Sequence, residues 1–423
     1  MTKYKQQVLL TTDAGFIQRL PNFIKNLIAF NRDLLDIYII TSFDFANSEY
    51  KSLFTEFDNY PNCKLHFHYV TPEQRFKYEQ VDYANKDRAN AMSLRLYATE
   101  LKLTGRLLYL DADILCTAPF AELFDDEKVD LQGKTLGVVT DYYLMAKSLL
   151  TNGKAFKTKL SGRARVTPFD SENPYFNSGF LLIDMDKLNA SNLWLNHIAE
   201  LKDYDAFPDQ DLLNVLHFND KVELSSKYNY LAYHLILCRY FFMRDRWHQV
   251  TQVNRKKVRH QAEQENQFPA DYPFAQVDVF KKVTPTFLHF AGSRKQWNSH
   301  AQEFVDAYNL FTQNLEQILA QPVSYYEHYF ATLFKVYDYL PVLNDYQDSN
   351  TFADFSLEKY SFYFNSCKPW TFNPILLNTR MYPLKSLKVL LRNAMATKGR
   401  DKLNAQEYST KHPLFVKALA EKN

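Results

Sequence analysis

Short apolar runs alternate with segments whose apolar positions recur every three or four residues, beginning with VLLTT at 8–12 and PNFIKNLIAF at 21–30. DIYIIT (36–41), KLHFHYV (64–70), RLLYL (106–110), TLGVVTD (135–141) and FLLID (180–184) have the length and the β-branched or aromatic content of strands. A polar stretch after 41, DRANAMSLRLYATELKL (87–103), MDKLNASNLWLNHIAEL (185–201) and DQDLLNVLHF (209–218) read as helices. The alternation predicts βαβ units and a mixed, mostly parallel sheet flanked by helices, an α/β fold. Ligands of such sheets gather where strands end. Acids stand at two of these ends: Asp13 after VLLTT, and Asp111 and Asp113 after RLLYL.

Composition narrows the function. At 423 residues and 46% hydrophobic the chain can bury a full core, with room for one large domain and an appendage. Only nine glycines are present, and no G-x-G-x-x-G follows a predicted strand, so a dinucleotide-dependent oxidoreductase lacks support. A net charge of +2 gives no overall case for nucleic acid. Cys63, Cys116, Cys238 and Cys367 form no C-x-x-C pair, which argues against a zinc knuckle or a disulfide framework. The N-terminus lacks the apolar core of a signal peptide, and no stretch reaches the roughly 18 apolar residues of a membrane span. The expected location is cytoplasmic.

The pattern changes near residue 300, where mixed helical text begins. A catalytic domain is therefore expected over 1–300 and a mainly helical, basic C-terminal accessory region over 301–423. Two stretches concentrate positive charge: 239–260 and 380–402 each carry seven Arg or Lys residues against one acid. In the second, Arg380, Lys385, Lys388, Arg392, Lys398, Arg400 and Lys402 alternate with leucines. Two readings stay open: a solvated helix packed on the catalytic domain, or a peripheral contact with the anionic inner face of the cell membrane.

Four constellations carry chemistry. Asp111-Ala112-Asp113 places two carboxylates on one side of an extended chain, where they can meet one hard cation; the alternative is a pair of loop-capping acids. Such a cation would stabilise a diphosphate leaving group. TFLHFAGSRKQW supplies His289, suited to a mixed oxygen and nitrogen shell around manganese or magnesium, Gly292, which admits a phosphate close to the backbone, and Lys295, a point charge for it; taken singly they read as a core histidine, a turn glycine and a solvated lysine. In NPYFNSGFLLID, Asn177 and Ser178 precede a buried strand and read either as sugar-binding groups or as a turn. In FPDQDLLNVLHF, Asp209, Gln210 and Asp211 open a helix; dipole compensation explains them, unless some face a sugar.

LLYLDADI, YFNSGFLLID, DQDLLN and HFAGSRKQW, in this order, resemble the family 8 glycosyltransferases over roughly residues 6–298. The resemblance implies a GT-A fold, a UDP-sugar donor, a manganese ion (or magnesium) and retention of anomeric configuration. Asp111, Asp113 and His289 would then be the metal ligands. Thr11 and Asp13 would line the uridine pocket, and Arg95 would touch the donor. Asn177, Asp209 and Gln210 would surround the sugar, with Gly292 and Lys295 on the diphosphate and Asp141 near donor or acceptor. Because Gln210 is a poor nucleophile, a front-face route is expected, with Asp209 as the alternative nucleophile. The transferred group would be glucose or galactose, and the acceptor a glycan or glycolipid of a bacterial surface polysaccharide or lipooligosaccharide. A protein acceptor, or a catalytically inactive nucleotide-sugar-binding protein, is the alternative. Two departures stand out: Gly15 replaces a frequent Asn, and Gln296 replaces the Pro of the usual Lys-Pro-Trp. A second Lys368-Pro369-Trp370 has no strand with His and Gly before it.

Overall fold

The structure, a computed structural model, describes residues 6–79, 93–141, 144, 157–160, 163–166, 169, 173–204, 207–232, 284–291, 295–299 and 302–339. Gly292 and the basic stretches 239–260 and 380–402 lie outside the described residues, as does the second Lys-Pro-Trp. The chain divides into two compact units. The first comprises residues 1–232 and 284–331; the second, 233–283 and 332–423, is described only at 332–339.

Strands β1 (Gln6–Thr12), β2 (Leu35–Thr41), β3 (Cys63–Tyr69), β4 (Arg106–Leu110), β5 (Ile114–Cys116), β6 (Leu136–Thr140), β7 (Lys157–Leu160), β8 (Arg163–Val166), β9 (Phe176–Asp184), β10 (Lys221–Glu223), β11 (Tyr230–Leu231) and β12 (Phe287–His289) form three sheets. The main one has seven strands in the order β10-β6-β9-β4-β1-β2-β3. All its pairings are parallel except those of β9, which runs antiparallel to both β4 and β6. Val8, Leu9 and Leu10 are completely buried, because a central parallel strand is covered on both faces. The small sheet, in the order β11-β12-β5, lies beyond the end of β4. β7 and β8 pair only with each other.

The helices are α1 (Leu20–Phe30), α2 (Pro72–Glu79), α3 (Met185–Ser191), α4 (Leu193–His197), α5 (Pro208–Leu216), α6 (Gln302–Asn309), α7 (Leu315–Ala320) and α8 (Val323–Tyr339). Pro21 suits the first turn of α1, where an N–H has no helical partner. The helix is buried nearly all round: Phe23, Ile24, Leu27 and Ile28 are at most 3% exposed.

Four sequence expectations change. The polar stretch after 41 forms 3-10 turns at Phe45–Asn47 and Glu49–Phe57. The helix expected over 185–201 is broken into α3, α4 and a 3-10 turn at 198–203. The break falls at Asn192, whose φ of 48° is left-handed, a conformation asparagine tolerates better than most residues. Of the helix expected over 87–103, the described part is a 3-10 turn at 94–101, ended by left-handed Lys102. The strand expected to begin at 180 begins at Phe176, so Asn177, Ser178 and Gly179 belong to β9 and not to a turn. Their backbone is held by the sheet, which fixes where their side chains point.

Candidate active site

Register brings the pieces together. The ladder between β4 and β9 pairs Leu110 with Phe180 and continues where the Asp111 N–H donates to Gly179 O at 2.8 Å. The chain then turns tightly, the Ile114 N–H reaching Asp111 O at 3.1 Å, and leaves as β5. Asp111 and Asp113 are thus gathered by a turn; the extended two-residue spacing expected from sequence is not how they meet. β12 pairs antiparallel with β5, placing His289 opposite Ile114, and the Phe290 N–H donates to Asp113 O at 3.0 Å.

His289 Nε2 lies 3.1 Å from Asp113 Oδ1 and 3.9 Å from Asp111 Oδ2. One ligand atom from each of the three residues falls within 4.8 Å of the others, a spacing that could hold a metal ion. Asp113 Oδ1 is buried, with His289 Nε2 beside it at 3.1 Å. Two carboxylates and an imidazole form the hard oxygen and nitrogen set that suits manganese or magnesium. Space is kept by Gly179, where a Cβ would lie 2.3 Å from His289 Cε1 and 2.8 Å from Asp111 Oδ2. The residues therefore fit a divalent ion.

Lys295 Nζ pairs with Asp113 Oδ2 and donates to Phe290 O at 3.2 Å. Burial alone would raise the Asp113 carboxyl, but the charge of Lys295 beside it outweighs burial and holds the group well below the usual carboxylate range. Gln296, the departure from Lys-Pro-Trp, is 1% exposed and points its amide at Ala112 O (3.5 Å) and Ile114 O (3.4 Å), long contacts that straddle Asp113. Trp297 meets Phe16 edge-on at 5.4 Å and lies under Arg19 at 5.0 Å, joining this segment to the loop after β1.

Beside the three ligands lies a polar cluster. Arg95, buried, reaches Asp111 Oδ1 at 3.1 Å, Asp209 Oδ2 at 3.2 Å and Ser178 Oγ at 3.1 Å, with its guanidinium 4.4 Å above the Tyr109 ring. Burial opposes its charge, yet Asp111, Tyr109 and Asp209 more than compensate and keep it protonated. Asp209, also buried, is raised by desolvation against the pull of Arg95. Gln210 Oε1 accepts from Ser178 N at 2.9 Å, Asn177 Nδ2 at 3.1 Å and Ser178 Oγ at 3.4 Å. Asn177 Nδ2 also reaches Asp141 Oδ2 at 3.3 Å. Asp211 is linked to this cluster through Tyr175, accepting from the Tyr175 hydroxyl at 2.7 Å while Gln210 Nε2 donates to that hydroxyl at 3.3 Å.

Asp209 and Gln210 are aimed by α5, which Asn214 fastens to β9. Its Nδ2 donates to Phe176 O and its Oδ1 accepts from Phe176 N, both at 2.8 Å. Thr11, on β1, reaches the Tyr109 hydroxyl at 3.2 Å, and that hydroxyl donates to Asp111 Oδ1. Asp13 begins the turn after β1, its carbonyl accepting from Phe16 N and Ile17 N at 3.1 and 3.0 Å. Gly15 is close by; a Cβ there would stand 3.3 Å from Asp13 Oδ1.

Sequence reasoning passed over Tyr109, Asn214 and Asn229 and gave Gly179 no role. Tyr109 could have been found, since it is two residues before Asp111 on the same face of the chain. Asn229 carried no signal in SSKYNYL, yet it donates to Asn177 Oδ1 at 3.0 Å and faces His289 Nδ1 at 2.9 Å.

The sequence profile of glycosyl transferase family 8 matches residues 7–301. Glycosyltransferase GlyF of Streptococcus pneumoniae serotype 4 is 29% identical over 238 residues, 55% of this chain and 51% of that protein. The lipopolysaccharide 1,2-glucosyltransferase of Escherichia coli K12 is 26% identical over 223 residues, 51% of this chain and 60% of that protein. The chain thus matches about half the length of GlyF. Among solved structures, the WbbM bifunctional glycosyltransferase superposes with a TM-score of 0.50 at 15% identity, over 76% of this chain and 52% of that one. That likeness is one of fold, which is of the GT-A type.

Proposed function

Because this chain belongs to glycosyl transferase family 8, we propose that it transfers a hexose, glucose or galactose, from a UDP-sugar to an acceptor glycan with retention of anomeric configuration. The observation that carries the proposal is the convergence of Asp111, Asp113 and His289 on one point, next to the cluster of Arg95, Asn177, Asp209 and Gln210. A divalent ion held by those three ligands would neutralise the departing diphosphate. Lys295 is near enough to add its charge, exchanging Asp113 for a phosphate oxygen.

Hydrogen bonding at Gln210 supports the front-face route. Its Oε1 already accepts from Asn177 and from Ser178, so no lone pair is left to attack an anomeric carbon. One amide hydrogen reaches the Tyr175 hydroxyl at 3.3 Å; the other can be offered to the sugar. In this route the bond from the anomeric carbon to the diphosphate oxygen breaks, and a bond to the acceptor oxygen forms on the same face. The acceptor proton passes to the departing phosphate oxygen. Asp209, held by Arg95 and buried, orients the sugar.

The name of the lipopolysaccharide glucosyltransferase supports a glycan or glycolipid acceptor of a bacterial surface polysaccharide or lipooligosaccharide. The test is UDP release by the full chain with manganese and UDP-glucose, UDP-galactose and their N-acetyl and uronic acid counterparts, first without and then with glycan acceptors. Release from one hexose donor, abolished by chelation, is the expected result. No release from any donor, with UDP still bound, would leave a nucleotide-sugar-binding protein without transfer activity.

A further inference from the structure

The orientation of the His289 ring can be deduced from one backbone donor. The Gly179 N–H can only donate, and it faces Asn177 at 3.0 Å, so the atom it meets is Asn177 Oδ1. The atom of Asn229 that faces the same oxygen, at 3.0 Å, must then be its amide nitrogen. The other end of Asn229, 2.9 Å from His289 Nδ1, is therefore the carbonyl oxygen, and Nδ1 carries the hydrogen. With Nδ1 a donor, the neutral ring has its lone pair on Nε2, the atom that faces Asp113 and Asp111. Asn177 extends the same chain, for its Nδ2 donates to Gln210 Oε1. All the links from the ring to Gln210 are buried, Asn229 being 1% exposed, Asn177 7% and Gln210 6%.

We propose that Asn229 is a positioning residue with two effects: it presents the His289 Nε2 lone pair to the ion, and through Asn177 it keeps Gln210 in register with that ring. The first effect rests on the reading of Asp111, Asp113 and His289 as metal ligands; the second rests on the placing of Gln210 at the sugar. An outer partner that fixes a ligating histidine typically contributes 10-fold to 100-fold in metal affinity.

Two substitutions separate the effects. In Asn229→Ala both links are lost. In Asn229→Asp an oxygen still accepts from Nδ1, but the second oxygen meets Asn177 Oδ1, acceptor against acceptor, and the link toward Gln210 breaks. The measurement is manganese affinity of the full chain, followed by electron paramagnetic resonance with saturating UDP, alongside kcat, donor KM and thermal unfolding. For Asn229→Ala the manganese Kd should rise about 10-fold to 100-fold. Asn229→Asp should bring the Kd back to within about 3-fold of the wild type, while kcat stays at least ~10-fold low. An unchanged Kd in Asn229→Ala overturns the first effect; wild-type kcat in Asn229→Asp overturns the second. If Asn229→Ala does not fold, the isosteric Asn229→Asp decides both, since a weakened Kd there contradicts an acceptor role. Absence of manganese binding by the wild type would instead count against the ligand assignment itself.

Discussion

At Gly179 it is space, not an unusual backbone angle, that excludes a side chain: even a methyl group would overlap the His289 ring and Asp111. Gly179→Ala should therefore push the ligands apart, lowering both manganese affinity and turnover, while far-ultraviolet circular dichroism stays that of the wild type. Near-normal manganese affinity in this variant would show that the ligands meet elsewhere. Asp113→Ala should lower turnover by at least ~10²-fold, since it removes an electrostatic stabiliser worth about 3 kcal/mol. If it turns over normally, with or without a chelator, the metal assignment is wrong. Asp211 offers a test of a different kind. Burial raises its carboxyl from 3.8 to about 6, with the Tyr175 hydroxyl opposing and Asp209 adding to the rise. The native state thus holds this proton more tightly than the unfolded chain. Its contribution is complete below about pH 4 and is lost as pH rises through 6, by at most about 3 kcal/mol. Asp211→Asn keeps an acceptor for Tyr175 and removes that loss. Urea unfolding should show the variant gaining on the wild type between pH 4 and pH 8; a constant difference across that range would contradict the assignment.

Among the elements, α5 and β9 form the unit that aims the sugar-side groups. Asn214 is fully buried and completes both polar groups of Phe176 while also donating to Gln210 O at 2.9 Å. Asn214→Leu has similar volume but strands those backbone groups, at a cost of about 1–3 kcal/mol. Helix α5 should then shift on the strand, and kcat should fall because Asp209 and Gln210 move with it. Manganese affinity should hold, as none of the three ligands rides on α5. A loss of manganese binding equal to the loss of kcat would mean that the two clusters are not separately supported.

For the first unit as a whole, the helices after residue 300 complete a face of α1. Phe30 meets Tyr326 at 5.9 Å and Phe330 at 5.7 Å, and Asn22 donates to the Tyr308 hydroxyl at 2.9 Å. Lys25, 5% exposed, pairs with Glu56 at 3.0 Å and donates to Gln313 O at 2.8 Å. Arg32 donates to Leu319 O and Gln321 O at 3.3 and 2.9 Å, carbonyls that the end of α7 leaves without helical partners. Ending the chain at residue 300 should uncover the apolar face of α1 and leave Lys25 with only part of its shell. Size-exclusion and thermal melts should show aggregation or a lowered Tm for that chain relative to the full one. Equal melts for the two would establish 1–300 as a domain sufficient by itself. Among the described residues, no helix is long and apolar enough to cross a membrane.

The sequence by itself determined the strand and helix alternation, the family, and Asp111, Asp113 and His289 as residues to bring together, because periodicity and short motifs are local properties of the chain. It could not determine how they meet. Spacing suggested two acids on one strand face, whereas the meeting point is made by a turn after β4 and by the pairing of β12 with β5, across a separation of more than 170 residues. The reversal of β9 was equally silent in the text, although it is what sets Gly179 against Asp111. Tertiary structure alone decided the roles of Asn214 and Asn229. An asparagine has the same appearance in a loop and in a core, and only packing reveals which buried donors and acceptors it must satisfy. The helix expected over 185–201 failed for a related reason: periodicity records which face is buried, not whether Asn192 turns left-handed and divides the helix. Local pattern fixes the elements and the chemistry on offer; the long-range register of the sheets selects which of that chemistry is assembled.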